Sequence, residues 1–129
     1  DEIKNLNLLP NESILPDNKN DKFLWIFIPS NKILKMSLNP IRGNQIQKLI
    51  LRLEEFSPGI IKAITDMINN LGLDKRIVHS TGLCFSGEDC YYETYIECCE
   101  NDELIEYTKL KETFSKITSV RKIDIIEFK

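Results

Sequence analysis

The sequence predicts an α+β fold in which the elements follow the order β-α-β-β-α-β between Gln45 and Lys129. Two observations lead to this prediction. Aliphatic residues recur at helical spacing in two segments, and the segments around them alternate between apolar and polar residues, as half-buried strands do. Elements in this order form an antiparallel four-stranded sheet that carries both helices on one face.

Composition sets the broad class of the protein. The chain has 129 residues, of which 42% are hydrophobic, and its net charge is −3. That is sufficient for one buried core, and an acidic chain lacks the basic surface of a nucleic-acid binder, so we expect no direct nucleic-acid contact. No apolar run approaches the roughly 20 residues that cross a bilayer. We therefore expect no membrane association and a cytoplasmic location.

The first 44 residues divide into two parts. Residues 1–21 are rich in Asn, Asp and Pro, which predicts an extended or poorly ordered lead-in. Residues 22–44 predict a β-hairpin extension, because the runs FLWIFI and KILKMSL flank the turn residues PSN. The chain begins with Asp rather than Met, which predicts a piece of a longer protein, with an attached domain that could contact DNA or carry an activity.

Residues 45–129 contain the predicted main domain. The run KLILRLEEF alternates and places Leu49, Leu51 and Leu53 on the core face of the first strand. The first helix begins after Ser57, a favourable N-cap, with Pro58 at the first helical position. Gly72 supplies its C-terminal stop. Its apolar stripe comprises Ile60, Ile61, Ile64, Met67, Ile68 and Leu71.

A second hairpin and a second helix complete the predicted domain. The runs KRIVHSTGLCF and CYYETYIECCE predict two strands joined by a turn at residues 86–89. The core face of the second strand comprises Tyr92, Thr94, Ile96 and Cys98. Asn101-Asp102 predicts the cap of a helix, and KIDIIEFK predicts the closing strand. The apolar stripe of that helix comprises Leu104, Tyr107, Leu110, Phe114 and Ile117.

All four cysteines fall between Cys84 and Cys99, and the only histidine is His79. No Cys-x-x-Cys pair is present, so the sequence carries no metal-binding motif. Three interpretations stay open: buried free thiols that act as small apolar residues, a disulfide, and a metal or redox site built from His79, Cys84 and Cys90.

The segments LILRLEEF, SPGIIKAITDMINNLGL, RIVHSTGLCF and CYYETYIECC, with the final helix and strand, resemble an ACT domain. ACT domains are small regulatory modules that bind amino acids and related effectors. The resemblance covers about two thirds of the chain, from Gln45 onward. It implies a ferredoxin-like fold, a homodimer or higher homo-oligomer, a small-molecule effector that is an amino acid or related carboxylate, and no cofactor.

The resemblance also implies where the effector binds: between the loop before the first helix and the second strand of a neighbouring copy. The implied contacts are Ser57, Gly59, Ile60 and Ile61 in the loop, and His79, Ser80 and Thr81 in the strand. The first amides of a helix have no intrahelical acceptors, and a glycine lets a carboxylate approach them closely. The sequence departs from the family at Phe56, where ligand-binding members commonly carry Asp or Asn.

Other interpretations of these residues compete. Ser57-Pro58-Gly59 also fits a plain helix start, and His79 also fits a strand histidine with a satisfied hydrogen bond. Nickel-responsive repressors use an ACT-like domain, so metal-responsive transcription regulation is one alternative function. A ligand-free module that oligomerises through Tyr91 and Tyr95 is another. The sequence has no glycine-rich phosphate loop and no Gly-x-Ser-x-Gly motif, so it predicts no enzyme.

Overall fold

A computed structural model describes residues 23–29, 31–43, 45–85, 89–99 and 106–128 of the chain. The predicted lead-in, residues 1–21, the tip of the second hairpin, and the predicted cap at Asn101-Asp102 lie outside the described residues. The elements are β1 (Phe23–Pro29), β2 (Leu34–Pro40), β3 (Gln45–Leu53), α1 (Pro58–Asn70), a 3-10 turn (Asp74–Arg76), β4 (Ile77–Phe85), β5 (Asp89–Cys98), α2 (Tyr107–Phe114) and β6 (Val120–Phe128).

Four of the strands form one sheet in the order β4-β5-β3-β6, and all neighbouring strands are antiparallel. Leu51 of β3 lies at the centre, opposite Tyr92 of β5 and Ile123 of β6. The period of two in β3 places Leu49, Leu51 and Leu53 on one face, where each is at most 1% exposed. The predicted core faces of β3 and β5 are therefore confirmed.

Both helices contribute to the main core on that face of the sheet, which we call the helix face. Ile60, Ile64 and Ile68 of α1 and Leu110 and Phe114 of α2 are buried in the cluster that contains Leu51. The predicted start of α1 is confirmed, because the Ser57 side chain accepts a hydrogen bond from the Ile60 amide and Pro58 is the first helical residue. Gly72 follows the helix with a φ of 70°, a conformation that favours glycine.

The other two strands form a separate two-stranded sheet. β1 and β2 pair only with each other among the described strands, with Ile26 opposite Ser37. Ile26 packs in a second, smaller cluster with Ile46 and Tyr95, which lie on the face of the large sheet opposite the helices. The hairpin therefore covers part of the face that the helices leave open, and we call this the hairpin-side face.

The prediction of a ferredoxin-like βαββαβ fold is wrong for this chain. Among the described residues six strands form two sheets, and the elements follow the order β-β-β-α-3-10-β-β-α-β. The physical reason lies in β1, whose run FLWIFI is apolar on both sides. Leu24, Ile26 and Ile28 pack against the second cluster, so the hairpin becomes a third layer of the structure with its own sheet.

A tight link joins the hairpin to the large sheet. The amides of Arg42 and Gly43 both donate hydrogen bonds to one carboxylate oxygen of Glu97, at 2.8 and 3.3 Å. Gly43 is buried against the backbone of Cys98, where a Cβ atom would overlap the carbonyl oxygen. Only glycine allows the chain to pass this closely to β5, so the position of the hairpin depends on it.

None of the helices that the structure describes is both long enough and apolar enough to cross a membrane.

Candidate functional site

The loop residues of the predicted effector site lie together at the start of α1. Ser57 caps α1, and the Ile61 amide donates to the Ser57 carbonyl oxygen at 3.1 Å. Gly59 is exposed, and the nearest atom to a Cβ built there is the Ser57 hydroxyl oxygen, at 4.0 Å. Ile60, by contrast, is only 8% exposed and belongs to the main core, so its side chain is not available to a ligand.

The strand half of the predicted site is divided between the two faces of β4. Ser80 lies on the helix face, opposite Thr94, and the two hydroxyl groups are 2.8 Å apart. His79 and Thr81 lie opposite Tyr95 and Glu93, on the hairpin-side face. Within one chain, a ligand at Gly59 therefore has no access to His79 or Thr81.

Phe56 separates the loop from β4. Its ring lies directly over Gly82, where a Cβ atom would overlap two ring carbons and approach a third at 3.0 Å. The absence of a side chain at Gly82 thus provides the surface on which the ring packs. Phe56, the residue that departs from the ACT pattern, fills the space between the α1 loop and this edge strand. Its contact with Gly82 could not be predicted from the sequence.

His79 lies against the second cluster. A bulge between Ile77 and His79 shifts the pairing of β4, and the His79 ring meets the Tyr95 ring edge-on, with centroids 6.2 Å apart. The His79 Nε2 atom is buried without a hydrogen-bond partner among the described residues. The prediction of a satisfied strand histidine is therefore wrong for this nitrogen.

The disulfide interpretation of the cysteines holds for one pair. Cys84 and Cys90 lie directly opposite each other in β4 and β5 and form a disulfide, whereas Cys98 and Cys99 are not disulfide-bonded. The prediction of buried free thiols is wrong for Cys84 and Cys90. The alternative metal site is not assembled either, because these two sulfurs are bonded to each other and His79 lies on the other face of β4.

The hairpin-side face carries a row of ion pairs where the hairpin leaves it open. Lys48 pairs with Glu93 at 3.3 Å, and its ammonium lies 5.2 Å from the centre of the Tyr95 ring. Burial alone lowers the pKa of Lys48, but the hydrogen bond to Tyr95 and the charge of Glu93 outweigh it, so the pKa is raised. Arg52 pairs with Asp89 at 2.8 Å, which raises the pKa of Arg52. These charges are neutralised within the chain.

Tyr95 is not available for the predicted oligomer contact. It is only 8% exposed, because Ile26 and Lys48 cover it, and Tyr91 is half-buried beside a shallow depression of about 370 Å³. The prediction that Tyr91 and Tyr95 form an exposed aromatic pair is wrong for Tyr95.

The largest exposed apolar feature of the described residues is on the hairpin instead. The register pairs Trp25 with Leu38 and Phe27 with Met36, which places their side chains on the side away from the large sheet. Trp25 and Phe27 stack, with centroids 6.4 Å apart, and are 40% and 50% exposed. We call this surface the outer hairpin face; its members are Phe23, Trp25, Phe27, Leu34, Met36, Leu38 and Pro40.

Sequence reasoning missed the outer hairpin face although the signal is present. β2 alternates Leu34, Met36 and Leu38 with Lys35, Ser37 and Asn39, and the usual expectation is that the apolar side faces the core. The structure shows the reverse. Ser37 and Asn39 lie opposite Ile26 and Leu24, whose side chains face the large sheet.

Comparison of the chain with family models, with curated proteins and with solved structures gives no match. The resemblance to ACT domains therefore stays a prediction.

Proposed function

We propose that this chain is a self-associating interaction module in which two copies pack through their outer hairpin faces. The observation that carries the proposal is the composition of this surface, whose described members are all apolar and of which Trp25, Phe27, Leu34 and Met36 are exposed. Large exposed apolar patches on soluble proteins mark interaction surfaces, because removing such a surface from water lowers the free energy.

A second copy is the partner that this surface fits best. The outer hairpin face contains no charged residue among its described members, so stacking two copies about a twofold axis buries no charge and opposes no like charges. Each copy presents the Trp25–Phe27 pair, and rigid aromatic side chains are favoured at the centre of interfaces.

The size of the surface limits how tight this dimer can be. Each strand of the hairpin has seven residues. Two such strands cover a footprint on the order of 200 Å², given about 3.3 Å per residue and about 4.8 Å between strands. Stable interfaces bury roughly 800 Å² of accessible surface per partner. We therefore expect a reversible dimer that dissociates in the micromolar range.

Sedimentation velocity tests this proposal over a range from about 1 μM to about 500 μM, which brackets micromolar dissociation constants. The wild-type chain should shift from monomer to dimer, whereas the double variant Trp25→Glu, Phe27→Glu should stay monomeric, because each dimer would bury four carboxylates.

The double variant Ile126→Glu, Phe128→Glu is the matched control. It makes the same change in charge at two similarly exposed apolar residues, 44% and 43% exposed, that lie outside the outer hairpin face. It should dimerise like the wild type. Two results would contradict the proposal. Either the Trp25→Glu, Phe27→Glu variant dimerises like the wild type, or the wild-type chain stays monomeric over the whole concentration range.

The disulfide bears on where such a module works. Disulfides persist in oxidising compartments and are rare in the reducing cytosol. The Cys84–Cys90 bond joins residues that are paired in the sheet, so the fold itself holds the two sulfurs together. We propose an oxidising compartment, and the cytoplasmic location predicted from the sequence is not supported by this bond.

Sensing of a small carboxylate effector is the second candidate function, as the ACT resemblance implies. The observation that favours it is the open space at Gly59, next to a helix start with no acidic residue in its first turn. A carboxylate there would accept a hydrogen bond from the Gly59 amide, because the Ile60 and Ile61 amides already donate to Ser57. Phe56 restricts such a ligand to the loop and the exposed residues beside it.

Thermal unfolding in the presence of each common amino acid tests this second candidate. A true effector at about 100 times its Kd should raise the Tm by several degrees, since binding to the native state alone stabilises it by about 2.7 kcal/mol. Gly59→Val should abolish the shift, because its side chain would fill the open space. Asn69→Val, at the exposed far end of α1, should retain it. The absence of a shift with every amino acid would exclude this class of effector.

A further inference from the structure

A groove separates α2 from the free edge of β6. On the helix side its walls are Tyr107, Lys111 and Ser115, which are spaced by four residues and therefore share one side of the helix. On the sheet side its wall is the segment 120–123 at the start of β6. The groove has a volume of about 300 Å³ and lies at the opposite edge of the sheet from β4.

The edge of β6 offers backbone groups to a further strand. β6 is the last strand of the sheet, and none of the described strands pairs with its outer side. An edge strand presents alternate amides and carbonyls that another extended chain can bond. One of these carbonyls, that of Ile123, accepts a hydrogen bond of 3.1 Å from the Tyr107 hydroxyl. A side chain of α2 thus occupies the place that the amide of an added strand would take.

The charges in the groove indicate what kind of strand fits. Among the residues that the structure describes, the groove is lined by Lys111, Arg121 and Lys122 and by no acidic residue. Arg121 pairs with Glu54 at 2.9 Å, and Lys122 pairs with Asp124 at 3.6 Å. The side chains of both pairs are about half exposed, and exposed ion pairs contribute little to stability. A ligand carboxylate can therefore replace Glu54 or Asp124 at small cost in free energy. Lys111 lies 5.9 Å from the Tyr107 ring centre and forms no ion pair with a described residue.

We propose that this groove binds an extended, acidic segment of a partner protein as an additional strand beside β6. The wall formed by α2 spans about 12 Å, given 1.5 Å per helical residue, which matches three to four extended residues at about 3.3 Å each. Backbone hydrogen bonds to β6 supply affinity, and carboxylates on the side of the added strand that faces α2 pair with Lys111 and supply selectivity. Lys122 lies opposite Arg52, on the hairpin-side face, so it meets only carboxylates on the other side of the added strand. The surface is distinct from the outer hairpin face, so this proposal does not depend on self-association.

Three labelled peptides test the proposal by fluorescence anisotropy with the full chain. The first has about eight alternating glutamate and valine residues, a length that covers the groove with overhang. The second replaces every glutamate with lysine. The third keeps every glutamate but replaces every second valine with proline, which cannot donate a backbone hydrogen bond. The first should bind, and the other two should bind at least about tenfold more weakly.

Variants of the groove complete the test. Lys111→Glu should weaken binding of the first peptide by about tenfold. Lys109→Glu is the matched control, because it makes the same change on the same helix outside the groove, and it should bind like the wild type. Tyr107→Phe should bind a few times more tightly, because it removes the hydroxyl that competes for the Ile123 carbonyl.

Several results would overturn the proposal. Equal binding of the lysine peptide would show that charge does not select the ligand. Equal binding of the proline peptide would show that the ligand does not pair with β6 as a strand. Equal weakening by Lys111→Glu and Lys109→Glu would place the peptide elsewhere. A different result would assign the edge to a second copy: the peptide fails to bind, and the Trp25→Glu, Phe27→Glu chain, which should be monomeric, still self-associates until Lys111→Glu is added. Tighter binding of a single-stranded RNA of similar length would assign the groove to nucleic acid.

Discussion

Replacing Gly43 with alanine should lower the free energy of unfolding by about 2–3 kcal/mol, the upper range for overpacking a filled site. The added Cβ would overlap the carbonyl oxygen of Cys98 and lie 2.7 Å from its carbonyl carbon. Because the obstacle is backbone in a central strand, no rotamer change relieves the contact. The segment must move away, which also lengthens the hydrogen bonds from Arg42 and Gly43 to Glu97.

Urea unfolding followed by circular dichroism measures this effect, and Gly59→Ala provides the control. At Gly59 a Cβ would meet only the Ser57 hydroxyl oxygen, at 4.0 Å, and the residue is in α1, where alanine is favoured over glycine. Gly59→Ala should therefore leave the stability unchanged or raise it slightly. An unfolding midpoint of Gly43→Ala equal to that of the wild type would show that the hairpin link is not tightly packed.

Replacing Phe114 with alanine should cost about 3–5 kcal/mol, the range for removing a fully buried aromatic side chain. Phe114 is 0% exposed and joins α2 to the core that contains Leu51 and Ile64. The change removes apolar area from the core and leaves a cavity that the rigid sheet cannot close. For a chain of this size, such a loss is a large fraction of typical total stability.

Thr113→Ala is the control for Phe114→Ala. Thr113 is the preceding residue of α2 and is half-buried, and its hydroxyl donates a hydrogen bond of 2.8 Å to the Lys109 carbonyl of the same helix. We expect a change below about 1 kcal/mol for this variant. Similar unfolding midpoints for both variants would mean that α2 does not pack against the sheet through Phe114.

The candidate site was predictable only in part. The sequence indicated the capped helix start at Ser57 and the open position at Gly59, because caps and glycines act through neighbouring residues. It did not indicate that Phe56 packs on Gly82, a contact between residues that are far apart in the chain. It also grouped His79, Ser80 and Thr81, although a strand turns successive side chains to opposite faces.

The sequence by itself determined the elements whose signals are local. The cap, proline and glycine around α1 and the alternation in β3 and β5 specify helix, strand and core face through contacts within a few residues.

Only the tertiary structure decided which surfaces stay exposed. β1 is apolar on both sides, so periodicity could not tell that Ile26 packs on the large sheet while Trp25 and Phe27 face outward. The Cys84–Cys90 disulfide likewise depends on the register between β4 and β5, which places the two residues opposite each other. Packing of one layer on another and pairing between strands are long-range events, and a local pattern constrains them only weakly.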